Sequence, residues 1–82
     1  MLKRSATARF ERDFASAPRS VQQAFDKQVA LLIENIRHPS LRAKRYDEET
    51  GLWQVRVTKN WRAYFIIRGD ICLFVRMEKH KD

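Results

Sequence analysis

LWQVRVTKNWRAYFIIRGDICLFVRM, residues 52–77, holds three runs rich in β-branched and aromatic residues: LWQVRV (52–57), WRAYFII (61–67) and ICLFVRM (71–77). Only Lys59-Asn60 and Arg68-Gly69-Asp70 separate them, turns short enough to force an antiparallel meander. That turn also accounts for the Arg-Gly-Asp tripeptide, since nothing in the chain suggests secretion and hence cell adhesion.

Side chains two apart on a strand share a face. One parity collects Val55, Val57, Ala63, Phe65, Ile67, Leu73, Val75 and Met77, a face suited to packing under helices. The other collects Gln54, Arg56, Thr58, Arg62, Tyr64, Arg76, Glu78 and His80. An uncovered face of an antiparallel sheet is by default merely solvated. Three arginines with a tyrosine and a histidine are instead a set suited to phosphate.

Upstream of the meander the chain reads helical. Thr7 can cap a short helix that carries Phe10 and Phe14 one turn apart. Pro18 suits a first helical position. From there Val21, Phe25, Val29, Leu32 and Ile36 recur at spacings of three and four, with Ala24 and Ile33 widening the stripe. The spacing predicts a helix over about 18–37, stopped by His38-Pro39, because the residue before a proline is pushed out of the helical region. His38 is expected to act there as the C-cap. Residues 40–50 read as a polar connection, basic first and then acidic, with Glu48 and Glu49 facing solvent. Residues 2–6 are expected to add an outer strand. The fold class is α+β: two N-terminal helices packed on one face of a mostly antiparallel sheet, in the order β-α-α-β-β-β.

An 82-residue chain leaves room for a single domain, residues 1–82, with a thin core that removes roughly 60% of the unfolded surface from water. Apolar residues at 44% and charged residues at 33% place it among globular rather than disordered chains. No uncharged apolar run approaches the ~18 residues of a membrane span, and MLKRSATARF lacks the apolar stretch of a secretory signal. The expectation is a cytoplasmic protein without membrane attachment. Cys72 alone cannot form an internal disulfide and reads as a small apolar filler in a strand. One Cys and two His are too few for a closed zinc site, so neither metal nor cofactor is expected. Seventeen Lys/Arg against ten Asp/Glu give a net charge of +7, which calls for an anionic partner: nucleic acid, a membrane surface or an acidic protein.

Arginine grips phosphate bidentately and keeps its charge at every relevant pH, while histidine can give or take a proton near neutrality. Together they match one simple reaction. An RNA 2′-OH attacks the adjacent phosphate, while the protein supplies an acid/base and positive charge for the pentacoordinate transition state. Tyr64 or Trp61 could stack a base. The plainer readings are a polar tail residue for His80 and a core-edge role for Trp53 and Trp61.

The order of short strand, two helices, polar connection and three-stranded meander resembles that of RelE/ParE-superfamily toxins of bacterial type II toxin–antitoxin systems. HPSLRAKR (38–45) is similar to the helix-to-sheet connection of one RelE-like branch. GLWQVRVTKNWRAYF (51–65) and GDICLFVRMEKH (69–80) resemble the strand–turn–strand and last strand of YoeB-type members. By this resemblance Arg62 matches the arginine on the transition-state phosphate, Arg56 the basic residue on the preceding strand, and His80 the C-terminal catalytic histidine. Lys81 stands where the YoeB type has a tyrosine. The positions matching its glutamate, around Arg42 to Lys44, are basic, so the general base is unassigned. Arg42, Lys44, Arg45, Lys59, Tyr64, Arg76 and Lys81 are the expected RNA contacts. The resemblance implies a metal-independent endoribonuclease that cuts mRNA in the ribosomal A site, with the ribosome, mRNA and a cognate acidic antitoxin as partners. A ParE-like inhibitor of DNA gyrase and a non-catalytic binding module with the same fold are the alternatives.

Overall fold

In the structure, a computed structural model that describes residues 2–80, Thr7 opens the first helix: its Oγ1 accepts from the Phe10 N–H at 3.1 Å. The same hydroxyl donates to the Val75 carbonyl at 3.2 Å, fixing the helix to the sheet. Strand β1 (Lys3–Ala6) precedes this cap, and helices α1 (Ala8–Ser16) and α2 (Arg19–Glu34) follow it. Then come β2 (Lys44–Asp47), β3 (Leu52–Thr58), β4 (Trp61–Arg68) and β5 (Ile71–Lys79). The sheet order is β1-β5-β4-β3-β2, with β1 parallel to β5 and every other pair antiparallel. Helix α1 lies over β5 and α2 over β3, so the helices cover one face of the sheet. This is the expected α+β architecture, and residues 3–6 supply the expected outer strand.

The long helix is shorter than its apolar stripe predicts. Pro18 caps it from outside, and it ends at Glu34 rather than near residue 37. Asn35 stops it: the residue is extended, with φ −159°, and its Oδ1 accepts from the Arg37 N–H at 3.0 Å. An asparagine side chain that binds backbone two residues on competes with helix continuation. His38 is therefore not the helix C-cap. It opens a 3₁₀ turn, Pro39–Leu41, where its Nδ1 accepts from the Ser40 N–H at 3.3 Å. The polar connection also contains β2, a strand absent from the sequence reading.

Five phenylalanines form the centre of the core. Phe25 and Phe74 meet edge to face with ring centroids 5.0 Å apart; Phe10, Phe14 and Phe65 surround them. Val21, Val29, Leu32, Leu41, Val55, Val57, Ala63, Cys72 and Met77 complete it, and burial pushes the Cys72 thiol up from its ordinary value.

One part of the expected inner face is wrong. Tyr64 pairs with Arg76, but the next residue, Phe65, pairs with Phe74, so Val75 is an extra residue in β5. A bulge of this kind reverses the faces of the strand on one side of it. Cys72 and Phe74 point into the core at 0% and 1% exposure, whereas Leu73 and Val75 are only half-buried.

Phe65→Ala should cost about 3–5 kcal/mol and Leu32→Ala about 2–5 kcal/mol. Both are large fractions of the roughly 5–15 kcal/mol that holds a domain together. Phe74→Ala should cost as much as Phe65→Ala and clearly more than Leu73→Ala. Urea denaturation of the four variants checks this, and equal losses at 73 and 74 would refute the bulge.

Candidate active site

The face of the sheet away from the helices is organised by strand register. Lys44, Gln54, Tyr64 and Arg76 stand opposite one another across β2, β3, β4 and β5. One step nearer the β3–β4 turn, Arg56, Arg62 and Glu78 form a second row.

The first row is a buried floor. Gln54 and Tyr64 are 7% and 4% exposed, and the Gln54 Nε2 donates to the Tyr64 Oη at 3.1 Å. Tyr46 on β2 packs edge-on against Tyr64 at 5.1 Å between centroids. The Arg76 guanidinium carbon lies 4.4 Å from the Tyr64 ring centroid, a cation–π stack. Tyr64 is thus covered by its neighbours, and Tyr46, 52% exposed, presents the open ring on this face. Sequence reading passed over Tyr46 because it lay in an apparent loop; the alternation Lys44, Tyr46 was its only signal.

The second row holds charge. Directly opposite residues have Cβ atoms about 4.5–5.5 Å apart, and like charges so placed repel. Arg56 and Arg62 are such a pair. The Arg62 Nη1 donates to the carbonyls of Thr58, Lys59 and Trp61 at 2.8, 3.2 and 3.0 Å, which ties the guanidinium to the β3–β4 turn. The Arg56 carbonyl accepts from the Gln28 Nε2 at 2.8 Å, and the same Nε2 donates to the Ser40 carbonyl at 3.1 Å. Helix α2 therefore braces β3 beneath the arginine pair.

His80 continues β5 beyond Glu78. Its backbone N–H donates to the Asn60 carbonyl at 2.6 Å, which anchors the main chain of His80 beside the turn that orients Arg62. Tyr64, Glu78, Lys79 and His80 line a concavity of about 350 Å³. Glu78 Oε1 lies 3.6 Å from Arg76 Nε, an ion pair; that nitrogen is buried and has no hydrogen-bond partner among the described residues.

The remaining expected contacts are dispersed. Lys44 shares the floor row at its outer edge, and Lys59 is exposed on the turn beside Asn60. Arg45 is on the other face, where its guanidinium lies over Trp53 at 5.1 Å. Arg42 is exposed and closes the 3₁₀ turn in the left-handed region at φ 46°. Lys81 lies outside the described residues. Glu48 and Glu49 sit in the β2–β3 turn, at the opposite end of β3 from the arginine pair. Among the described residues no group of three or more His, Cys, Asp or Glu could hold a metal ion, and no helix is long and apolar enough to cross a membrane.

No protein-family model matches the chain, and no curated protein matches it in sequence. Solved structures do match in shape. YafQ from E. coli superposes with a TM-score of 0.77 at 14% identity, over 96% of this chain and 93% of that one. The YoeB/ParE toxin from Agrobacterium tumefaciens gives 0.78 at 12% identity, over 98% and 100%. A chain of the RelB-RelE antitoxin-toxin complex from Methanococcus jannaschii gives 0.75 at 14% identity, over 92% and 88%. The fold is that of RelE/YoeB/YafQ-type toxins.

Proposed function

We propose that a chain with this fold and this charged row is the toxin of a type II toxin–antitoxin system and a ribosome-dependent mRNA endonuclease. The observation that carries the reading is the directly opposed pair Arg56 and Arg62, with His80 held at the same turn. The two guanidinium groups start from directly opposite positions, and a phosphodiester is an anion that both can grip. Arg62 binds the scissile phosphate and stabilises its added negative charge. Arg56 shares that charge from β3. His80 protonates the leaving 5′-oxygen. The nucleophile is the RNA's own 2′-OH, so the reaction calls for no metal, cofactor or covalent enzyme intermediate.

The partners follow from the same charge. The YafQ and RelE structures include complexes with the antitoxins DinJ and RelB. For this chain, at +7, the corresponding partner is an acidic antitoxin that competes with RNA for the basic face, in the bacterial cytoplasm. Ribosome-bound mRNA is the substrate.

Incubation of the protein with translating ribosomes, followed by mapping of the new mRNA ends, tests the assignment. Fragments ending in 2′,3′-cyclic phosphate and beginning with 5′-OH are expected. Intact mRNA together with loss of gyrase supercoiling activity would replace the nuclease by a ParE-like inhibitor. Intact mRNA with active gyrase would leave a non-catalytic binding module.

Binding should also be strongly salt-dependent. Each phosphate contact to a single strand contributes about −0.7 to the slope of log K against log salt. Three or four contacts, drawn from Arg56, Arg62, Lys44 and Lys59, give a slope of about −2 to −3. Titration of a short single-stranded, uncleavable RNA at several salt concentrations measures it. A flat response would identify an apolar protein interface instead.

A further inference from the structure

We propose that Glu78 is the general base that takes the proton from the attacking 2′-OH. The inference rests on the nuclease reading above and supplies the group that motif matching leaves unassigned.

Cleavage by an internal 2′-OH needs one group to remove a proton and another to deliver one. His80 can perform only one of these tasks at a time. The carboxylates elsewhere in the described chain are placed away from the charged row. Asp13 accepts from the Met77 N–H on the helix side, and Asp26 pairs with Arg4. Asp47, Glu48 and Glu49 lie at the β2–β3 end, and Asp70 lies in the β4–β5 turn and pairs with Lys3. Glu11 and Glu34 belong to the helices, and among the described residues Glu78 alone stands in the row itself, directly opposite Arg62.

Three features suit it to the task. Glu78 and His80 are two residues apart on one strand direction and line the same concavity. Alternate residues on a strand are roughly 6.5–7 Å apart. In-line attack requires base and acid on opposite sides of the phosphorus, so two groups separated along the strand, with the arginine pair beside them, fit that geometry better than two groups in contact. The carboxylate is also held. Its partner Arg76 is itself fixed by the stack on Tyr64, which is fixed by Gln54 and Tyr46. Finally, the Glu78 side chain is 48% exposed and can reach a bound ligand.

The step balances on these two residues. Glu78 carboxylate takes the 2′-hydroxyl proton as the 2′-oxygen forms its bond to phosphorus. The bond from phosphorus to the 5′-oxygen breaks, and its electron pair takes a proton from the His80 imidazolium. The products are a 2′,3′-cyclic phosphate and a 5′-hydroxyl. Glu78 is left protonated and His80 neutral, and exchange with water resets both.

The test is single-turnover cleavage of ribosome-bound mRNA at neutral pH with saturating protein, using wild type, Glu78→Gln, Glu78→Asp and Glu78→Ala. Glu78→Gln should slow cleavage about a hundredfold or more, with little change in the protein concentration giving half the maximal rate. Glu78→Asp should keep part of the rate, and added formate should partly restore Glu78→Ala. Glu78→Gln cleaving at the wild-type rate, or losing only affinity, would overturn the proposal and reduce Glu78 to a positioning partner of Arg76. If Glu78→Gln does not fold, the other two variants decide: Glu78→Asp as slow as Glu78→Ala, with no rescue of Glu78→Ala by formate, rules out a carboxylate base. A wild-type protein that cleaves nothing is a different outcome, since it removes the nuclease reading itself.

Discussion

Arg62→Ala should nearly abolish mRNA cleavage and the toxicity that follows from it. Removing one preorganised donor to a developing oxyanion typically lowers the rate by about 10²–10³. Arg62 fits that description because three turn carbonyls orient its guanidinium before any ligand arrives. The same bonds predict a modest structural cost. The acceptors lie at an exposed turn where water can replace the donor, so stability should fall by about 1 kcal/mol and the fold should survive. Arg62→Lys should recover only part of the activity, since it keeps the charge and loses the planar fork. Cleavage rates, growth arrest on induction and melting temperature, measured together, separate a catalytic loss from unfolding.

His80→Ala should lower the rate by about 10²–10⁴, the range for a lost proton-transfer group. An acid acts by delivering its proton to the leaving 5′-oxygen. A sharper readout changes the substrate. With a bridging sulfur in place of the scissile 5′-oxygen, the leaving group departs without a proton, and His80→Ala should approach the wild-type rate. Equal defects on both substrates would assign His80 to binding. If Arg62→Ala and His80→Ala both remain fully toxic in cells, the nuclease assignment fails and gyrase inhibition takes its place.

Much of this arrangement is legible in the sequence because its determinants are local. A two-residue turn dictates antiparallel pairing, and a Thr followed three residues later by Phe10 marks a helix start. Alternation in WQVRV and WRAYF sorts Arg56, Arg62 and Tyr64 onto one face without knowledge of the partner strands. Where local signals fail, the deciding interactions are remote. ICLFV is apolar at every position, so nothing within it says whether Cys72 and Phe74 or Leu73 and Val75 face inward. The pairing of Phe65 with Phe74 under α1 makes that choice. Strand β2 is exposed along most of its length and lacks apolar alternation. It is a strand because β3 offers it backbone partners and Tyr64 offers a ring for Tyr46. Asn35 was a readable stop signal masked by the apolar Ile36 beyond it. Glu78 falls on the expected face, but only the register shows that it stands across from Arg62.

The extra residue at Val75 also governs which changes of length β5 can absorb over generations. Cys72 and Phe74 are selected by what lies under the helices, and Arg76, Glu78 and His80 by what lies on the open side. The odd residue between them lets each half vary without rephasing the other. Loss or gain of a single codon anywhere within 71–80 removes that freedom. Either Cys72 and Phe74 turn outward, or Arg76, Glu78 and His80 turn inward, because a one-residue slip exchanges the faces of every residue beyond it. Lineages carrying this chain should therefore accumulate substitutions in β5 but confine their insertions and deletions to the turns on either side.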